Sequence, residues 1–253
     1  MTAAKTCKPA LKSSLRLVAL LVVAAVVLGA ALIGRGAGHD PALLPDMAES
    51  PVTLPNGTHL YVQKYEVSVA EWNTCHDQGG CTLRLRVRPD QEAQTTPATG
   101  LSYLDVSEYL HWINDATGAT FRLPTADEWA EMAQPVLPKK ADPAFTDPSL
   151  TWASAYLTEG IAPRALKPQG SFSISPEGIW DLDGSVWEWT QDCFAGASGE
   201  TDLSRCPAFF VGGEHIAAMS YLIRDPARGG CAVGVPPAHL GMRLVSDKPI
   251  RWQ

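Results

Sequence analysis

The sequence predicts a mixed α/β domain with much irregular structure, preceded by one N-terminal transmembrane helix. Three observations carry this expectation. An apolar run, Leu17 to Ile33, follows four positive charges at Lys5, Lys8, Lys12 and Arg16. Only two later segments have full helical signatures. The 253 residues also include 20 Pro, 21 Gly and 8 Trp, a mixture that suits a loop-rich domain built on aromatic anchors rather than a helix bundle.

The N-terminal run is long enough for a short bilayer-spanning helix. A cleaved signal peptide is the alternative. The run exceeds a usual signal core, however, and its small residues are scattered instead of marking a cleavage site. Positive charge ahead of the run places the N-terminus in the cytoplasm and the remainder outside. The expected organisation is a cytoplasmic basic segment (1–16), an anchor (17–34), a linker (35–51) rich in Pro, Ala, Asp and Glu, and one domain (52–253). The expected location is the inner membrane, single-pass, with the C-terminal domain in the periplasm.

Charge divides along the same boundary. Residues 1–35 hold five bases and no acid, leaving 15 basic against 27 acidic residues, a net of −12. Such a domain repels phosphate backbones, which excludes nucleic acid as a partner. Arg84, Arg86 and Arg88 are the local exception. Their spacing puts them on one face of a strand, as a solvated edge or as an anion or partner site.

Cysteine usage agrees with export. Cys7 falls on the cytoplasmic side, free or lipidated. Cys75 and Cys81 bracket a polar loop with Gly79 and Gly80. Cys193 and Cys206 bracket another rich in Gly, Ser and Asp. An oxidising compartment favours both bridges, with Cys231 left odd, although sequence alone does not fix connectivity. Zinc is the weaker alternative, because no pair has C-x-x-C spacing and no histidine pair lies nearby.

The two helices begin with capping boxes. Ser102 with Asp105 opens the first. Val106, Tyr109, Leu110 and Ile113 form its apolar face, and Gly118 ends it. Thr125 with Glu128 opens the second, which buries Trp129, Met132 and Ala133 before Pro135 stops it. Thr120 to Pro124 reads as a short strand between them. Beyond Pro138 the chain becomes short extended pieces separated by Gly, Pro, Ser and Asp.

These pieces carry a resemblance. The Thr96-Pro97 to Asp105 block, followed by Arg122-Leu123-Pro124-Thr125 and Glu128-Trp129, resembles the P-V-x-x-V-S-W-x-D and R-L-P-T-E-A-E-W motifs of the formylglycine-generating-enzyme (sulfatase-modifying factor) family. Gly178 to Thr190 resembles G-L-Y-D-M-x-G-N-V-W-E-W-T. Gly212-Gly213 resembles part of R-G-G-S-W, Leu240-Gly241-Met242-Arg243 resembles L-G-F-R, and Lys64 to Ser68 resembles K-Y-E-V-T. The motifs run in order across residues 52–246. Cys75/Cys81 and Cys193/Cys206 resemble loop cysteines of one branch of that family. The resemblance implies a compact domain related to the C-type-lectin fold.

It also implies what chemistry to look for. The family's enzymes oxidise a substrate cysteine to formylglycine with oxygen and copper held by two cysteines, soft ligands for Cu(I). Counting from Gly213, those positions are Ala217 and Leu222, neither of which can ligate copper, so copper is not expected. A structural calcium is, on the Asp181 and Glu188 side chains and the Gly184 and Val186 carbonyls, a hard-oxygen set suited to the ion. A second family calcium site has no match near residues 152–160. The implied function is a membrane-anchored accessory or maturation factor that has lost catalysis but keeps a peptide-binding groove. Residues 219–243 and the short anchored architecture resemble nitrite-reductase accessory members, which implies a copper nitrite reductase in denitrification as the partner. The alternative is an oxidoreductase with a changed metal site at His215, Met219 or Cys231; on a helix, His215 and Met219 would share a face.

Overall fold

A computed structural model describes residues 39–137, 165–194, 205–226 and 238–250. Within the chain, Asp40–Gln253 forms one compact unit. The expected transmembrane helix and Cys231 lie outside the described residues, and among those residues no helix is long and apolar enough to cross a membrane.

Among the described residues three α-helices form: α1 (Val69–Asp77), α2 (Tyr103–Thr117) and α3 (Ala126–Ala133). Each opens with a complete capping box, Ser68/Glu71, Ser102/Asp105 and Thr125/Glu128, in which both side chains satisfy otherwise orphaned N–H groups. Gly118 closes α2 at φ 68°, a left-handed value at which a side chain is strained. The apolar positions read from the sequence turn inward: Val106, Tyr109 and Ile113 on α2, and Trp129, Met132 and Ala133 on α3, are buried. Helix α1 is short and its apolar face holds only Val69, Trp72 and Cys75, so its Ser68-x-x-Glu71 box was the clearer sign. Trp72 of α1 stacks on Tyr109 of α2, with ring centroids 5.4 Å apart.

Among the described residues seven short strands make two sheets. The first joins β1 (Val52–Thr53), β2 (His59–Val62) and β7 (Val245–Ser246), all antiparallel. The second has the order β5-β4-β3-β6, from β5 (Ala217–Ser220), β4 (Ala208–Gly212), β3 (Val186–Cys193) and β6 (His239–Gly241); only β3 and β6 run parallel. β6 and β7 are separated by Met242, Arg243 and Leu244, all buried, so this stretch links the two sheets. Few helices, many short strands and long irregular stretches match the expected mixed α/β class.

Both expected disulfides are present, Cys75–Cys81 and Cys193–Cys206. The second ties the end of β3 to the residues just before β4.

Three local expectations need correction. Arg84, Arg86 and Arg88 do not lie in a strand: residues 83–88 alternate in burial but pair with no strand. Side chains of α1 replace a partner strand here. Trp72 Nε1 donates to the Leu83 carbonyl at 2.7 Å, and the Asn73 amide bonds both backbone groups of Leu85. Residues 120–124 contribute a single bridge, Arg122 to Val245, because Pro124 has no N–H and Thr125 already begins α3. Residues 40–51 are not a free linker. Leu43, Leu44 and Met47 pack on the core, and Asp46, Ala48 and Asp40 make backbone hydrogen bonds with Lys64, Val62 and Ala116.

Helix α3 reaches the second sheet through one close approach. A Cβ built on Gly212 would fall 2.1 Å from the Trp129 ring. Gly212→Ala is therefore expected to destabilise the domain by about 1–3 kcal/mol through overpacking, read as a lower urea midpoint. An unchanged midpoint would show that α3 can move away without cost.

Candidate functional site

Two places gather the residues that the sequence singled out. The first is a buried charge centre. Arg243, fully buried, donates from Nε and Nη2 to Glu188, with the shortest contact 2.7 Å, and the Glu188 side chain is only 1% exposed. The other Arg243 N–H groups go to the carbonyls of Gln63, Lys64 and Trp180. Trp129 Nε1 donates to Glu188 Oε2 at 2.9 Å. Burial would pull Arg243 down, but Glu188 and Glu66 outweigh it and hold its pKa above the ordinary range.

Asp181 is also buried, at φ 67° in a tight turn closed by Gly184 N–H donating to its carbonyl. Its two carboxylate oxygens accept from the Gly170 and Phe172 N–H groups, at 2.5 and 2.8 Å. Burial raises its pKa, and those two N–H donors partly offset the rise.

This arrangement does not fit the calcium cage implied for Asp181, Gly184, Val186 and Glu188. A hard divalent ion needs lone pairs converging on one point. Here the Glu188 oxygens face a guanidinium and an indole N–H, and the Asp181 oxygens face two backbone donors. Among the described residues no three acids, histidines or cysteines gather closely enough to hold a metal.

Sequence reasoning did not single out Glu66. It is 1% exposed, its Oε2 accepts no hydrogen bond, and its nearest cation is Arg243 Nη2 at 3.8 Å. Burial, opposed by Arg243 and reinforced by Glu188 and Asp181, pushes its pKa up to about 8. The only available signal was its place in the Lys64-Tyr65-Glu66 motif.

The second place is a cleft of about 560 Å³ between the start of α2 and residues 222–225. Leu104 and Leu222 stand exposed on it, at 49% and 58%, with Ile223 beside them. Asp105 pairs with Arg224 through two bonds of 2.6 and 2.7 Å. Burial alone would raise the Asp105 carboxyl, but Arg224 and Ser102 together hold it below its ordinary range. Glu108 accepts both the N–H and the hydroxyl of Thr82. The two positions matched to copper cysteines separate in character: Ala217 is buried on β5 opposite Val211, whereas Leu222 lines the cleft.

His215 and Met219 do not share a helix face. Residues 213–215 form a bend and Met219 lies on β5, fully buried opposite Phe209. The His215 ring meets the edge of Trp187, with centroids 4.6 Å apart.

The sequence matches the sulfatase-modifying factor enzyme 1-like domain family over residues 25–248. None of the curated proteins matches it. Among solved structures, PvdO from Pseudomonas aeruginosa is similar at 16% identity and a TM-score of 0.48, covering 80% of this chain and 92% of its own. Treponema denticola variable protein 1 is similar at 11% identity and 0.44, covering 80% and 91%. CarF is similar at 15% identity and 0.43, covering 82% and 97%.

Two outcomes follow from the charge centre. Glu66 has its folded pKa raised from 4.5 to about 8, so the folded state holds its proton longer than the unfolded chain. Its contribution to stability is fully present below about pH 4.5 and is lost as pH rises through about 8. Glu66→Gln should remove this slope and leave the variant more stable than the parent at pH 9, by a few kcal/mol at most, seen as a difference in urea midpoints across pH 5–9. Parallel pH curves would refute the assignment. Because the carboxylates are satisfied internally, chelator and millimolar calcium should give the same melting temperature; a saturable rise with calcium would show that the carboxylates rearrange around the ion.

Proposed function

Because the chain belongs to the sulfatase-modifying factor enzyme 1-like family, we propose that it is a non-catalytic binding member: a membrane-anchored, extracytoplasmic accessory factor that grips a protein partner. The observation that carries this reading is Leu222. It stands where the family resemblance implies a copper-binding cysteine, and it presents 58% of its surface to an open cleft. A leucine has no lone pair for a metal, and a thiolate pair cannot be assembled from Leu222 and the buried Ala217. What remains is a cleft whose mostly polar lining carries three apolar side chains, Leu104, Leu222 and Ile223.

That groove suits a peptide segment. Leu104, Leu222 and Ile223 offer apolar area for a side chain, and the polar groups around them are already engaged within the protein, so the walls are preorganised. The Asp105–Arg224 pair holds residue 224 against the N-terminus of α2, fixing one wall of the cleft. Within this reading, the partner is a copper nitrite reductase undergoing maturation, and the domain is held in the periplasm by the N-terminal segment. The altered-metal-site oxidoreductase has less support, since His215 and Met219 are kept apart by the bend and strand that carry them.

The test is capture of purified nitrite reductase by the full-length protein. Leu222→Asp should weaken that binding about tenfold or more, as expected for loss of a central apolar anchor, while leaving the melting temperature unchanged. Oxygen consumption in the presence of copper and a cysteine peptide should stay at background. Copper-dependent oxygen uptake would overturn the non-catalytic reading. Equal binding by Leu222→Asp and the parent would remove the cleft as the contact.

A further inference from the structure

The stripe of Arg84, Arg86 and Arg88 takes no part in the cleft or the charge centre. Residues 83–88 alternate in burial, with Leu83, Leu85 and Val87 half-buried and the three arginines exposed. In such an extended stretch the backbone groups of successive residues point to opposite edges. One edge is covered. Trp72 holds the Leu83 carbonyl, and Asn73 holds both the N–H and the carbonyl of Leu85. The other edge carries the N–H and C=O groups of Arg84 and Arg86, and among the described residues none of these four has a hydrogen-bond partner. The edge is short: the Thr82 N–H before it goes to Glu108, and the N–H and carbonyl of Arg88 after it go to Gln91. We propose that this edge binds an extended acidic segment of a partner protein, added as a neighbouring strand.

Charge selects the occupant. Side chains directly opposite one another in paired strands lie close enough for opposite charges to attract and like charges to repel. A second copy of this chain would set arginine against arginine. A strand with an acid at every second position instead places each carboxylate beside a guanidinium, which offers it two parallel N–H donors. Arg86 makes no ion pair among the described residues. Arg84 pairs with Asp77 and Arg88 with Asp90 at 3.7 Å, but both pairs are exposed and so weakly held. The negative charge of the rest of the domain acts on the partner from a distance, where salt screens it.

The edge is also held ready. The Cys75–Cys81 bridge ends two residues before Leu83, and Leu83 and Leu85 pack on the core, so little freedom is left to lose on binding. Charges on an open edge deter unwanted pairing, and the three that keep this one from its own copies are those that admit an acidic strand.

Fluorescence anisotropy reads the binding, with full-length protein added to a fluorescein-labelled peptide, Val-Glu-Val-Glu-Val-Glu-Val-amide. Saturable binding is expected, with none of the peptide in which lysine replaces each glutamate. Two N-methylated forms separate strand addition from plain charge attraction. In an added strand the glutamates lie opposite the arginines, and their N–H groups face the edge. Methylating the glutamate nitrogens should abolish binding, while methylating the valine nitrogens should leave it within about threefold. Hydrogen exchange in residues 83–88 should slow when the peptide binds. Arg86→Glu, at an exposed residue, should weaken binding about tenfold and leave the melting temperature unchanged. Equal binding of the two methylated peptides would reduce the effect to attraction between charges. That result, no saturable binding, unchanged exchange in residues 83–88, or full binding by Arg86→Glu would each overturn the proposal. Capture of nitrite reductase probes the cleft, so the two readings fail separately.

Discussion

One buried guanidinium fixes how the two sheets and α3 meet. Arg243 sits in the short stretch linking the two sheets, and its N–H groups hold Glu188 of β3 and the carbonyls of Gln63, Lys64 and Trp180. A fully buried cation is tolerated only when every donor is answered, so the positions of these four segments are fixed together. Trp129 extends the arrangement: its indole N–H bonds Glu188, and its ring leaves no room for a side chain at Gly212. Thus α3, β3, β4 and β6–β7 share one constraint. The acids around Arg243 outnumber it, which leaves Glu66 without a donor.

The helices were legible because their signals are local. Ser102 and Thr125 each precede an acid by three residues and an apolar face by one turn, and both helices form as read. Helix α1 was less legible, since it has nine residues and only Val69, Trp72 and Cys75 turn inward. The strands were legible as a class and not individually. Pieces of two to five residues, apart from β3, are too short for alternation to establish itself, and their pairing is set by distant partners. The Arg84–Arg88 stretch shows the converse: its alternation is real, but it is produced by the side chains of Trp72 and Asn73 and not by a neighbouring strand.

The site was legible to the extent that motifs mark positions. Asp181, Glu188 and Leu222 were all singled out, and the structure puts the first two around Arg243 and the third on an open cleft. What motifs do not carry is the direction of each lone pair. Whether a carboxylate faces an ion or an arginine depends on residues more than fifty positions away, such as Arg243 for Glu188. Glu66 escaped notice for the same reason, since its isolation is a property of its surroundings. The disulfides were easier, because loops of 6 and 13 residues bring their ends together with little help from the rest of the chain.

The stretch between β6 and β7 has a consequence for how the protein is made. Arg243 finds its partners at Gln63 across 180 residues of sequence, and β7 completes the sheet begun by β2. Until residues 239–246 leave the ribosome, Glu188 has no counter-charge, the first sheet lacks its third strand and the second lacks β6. Partial chains would leave unpaired strand edges and the apolar surface that Leu240, Met242, Leu244 and Val245 cover exposed together, a combination that promotes aggregation. Assembly is therefore a late event that depends on the C-terminal segment. Slow, non-local closure of this kind makes the nascent chain, more than the finished domain, the stage most vulnerable to loss.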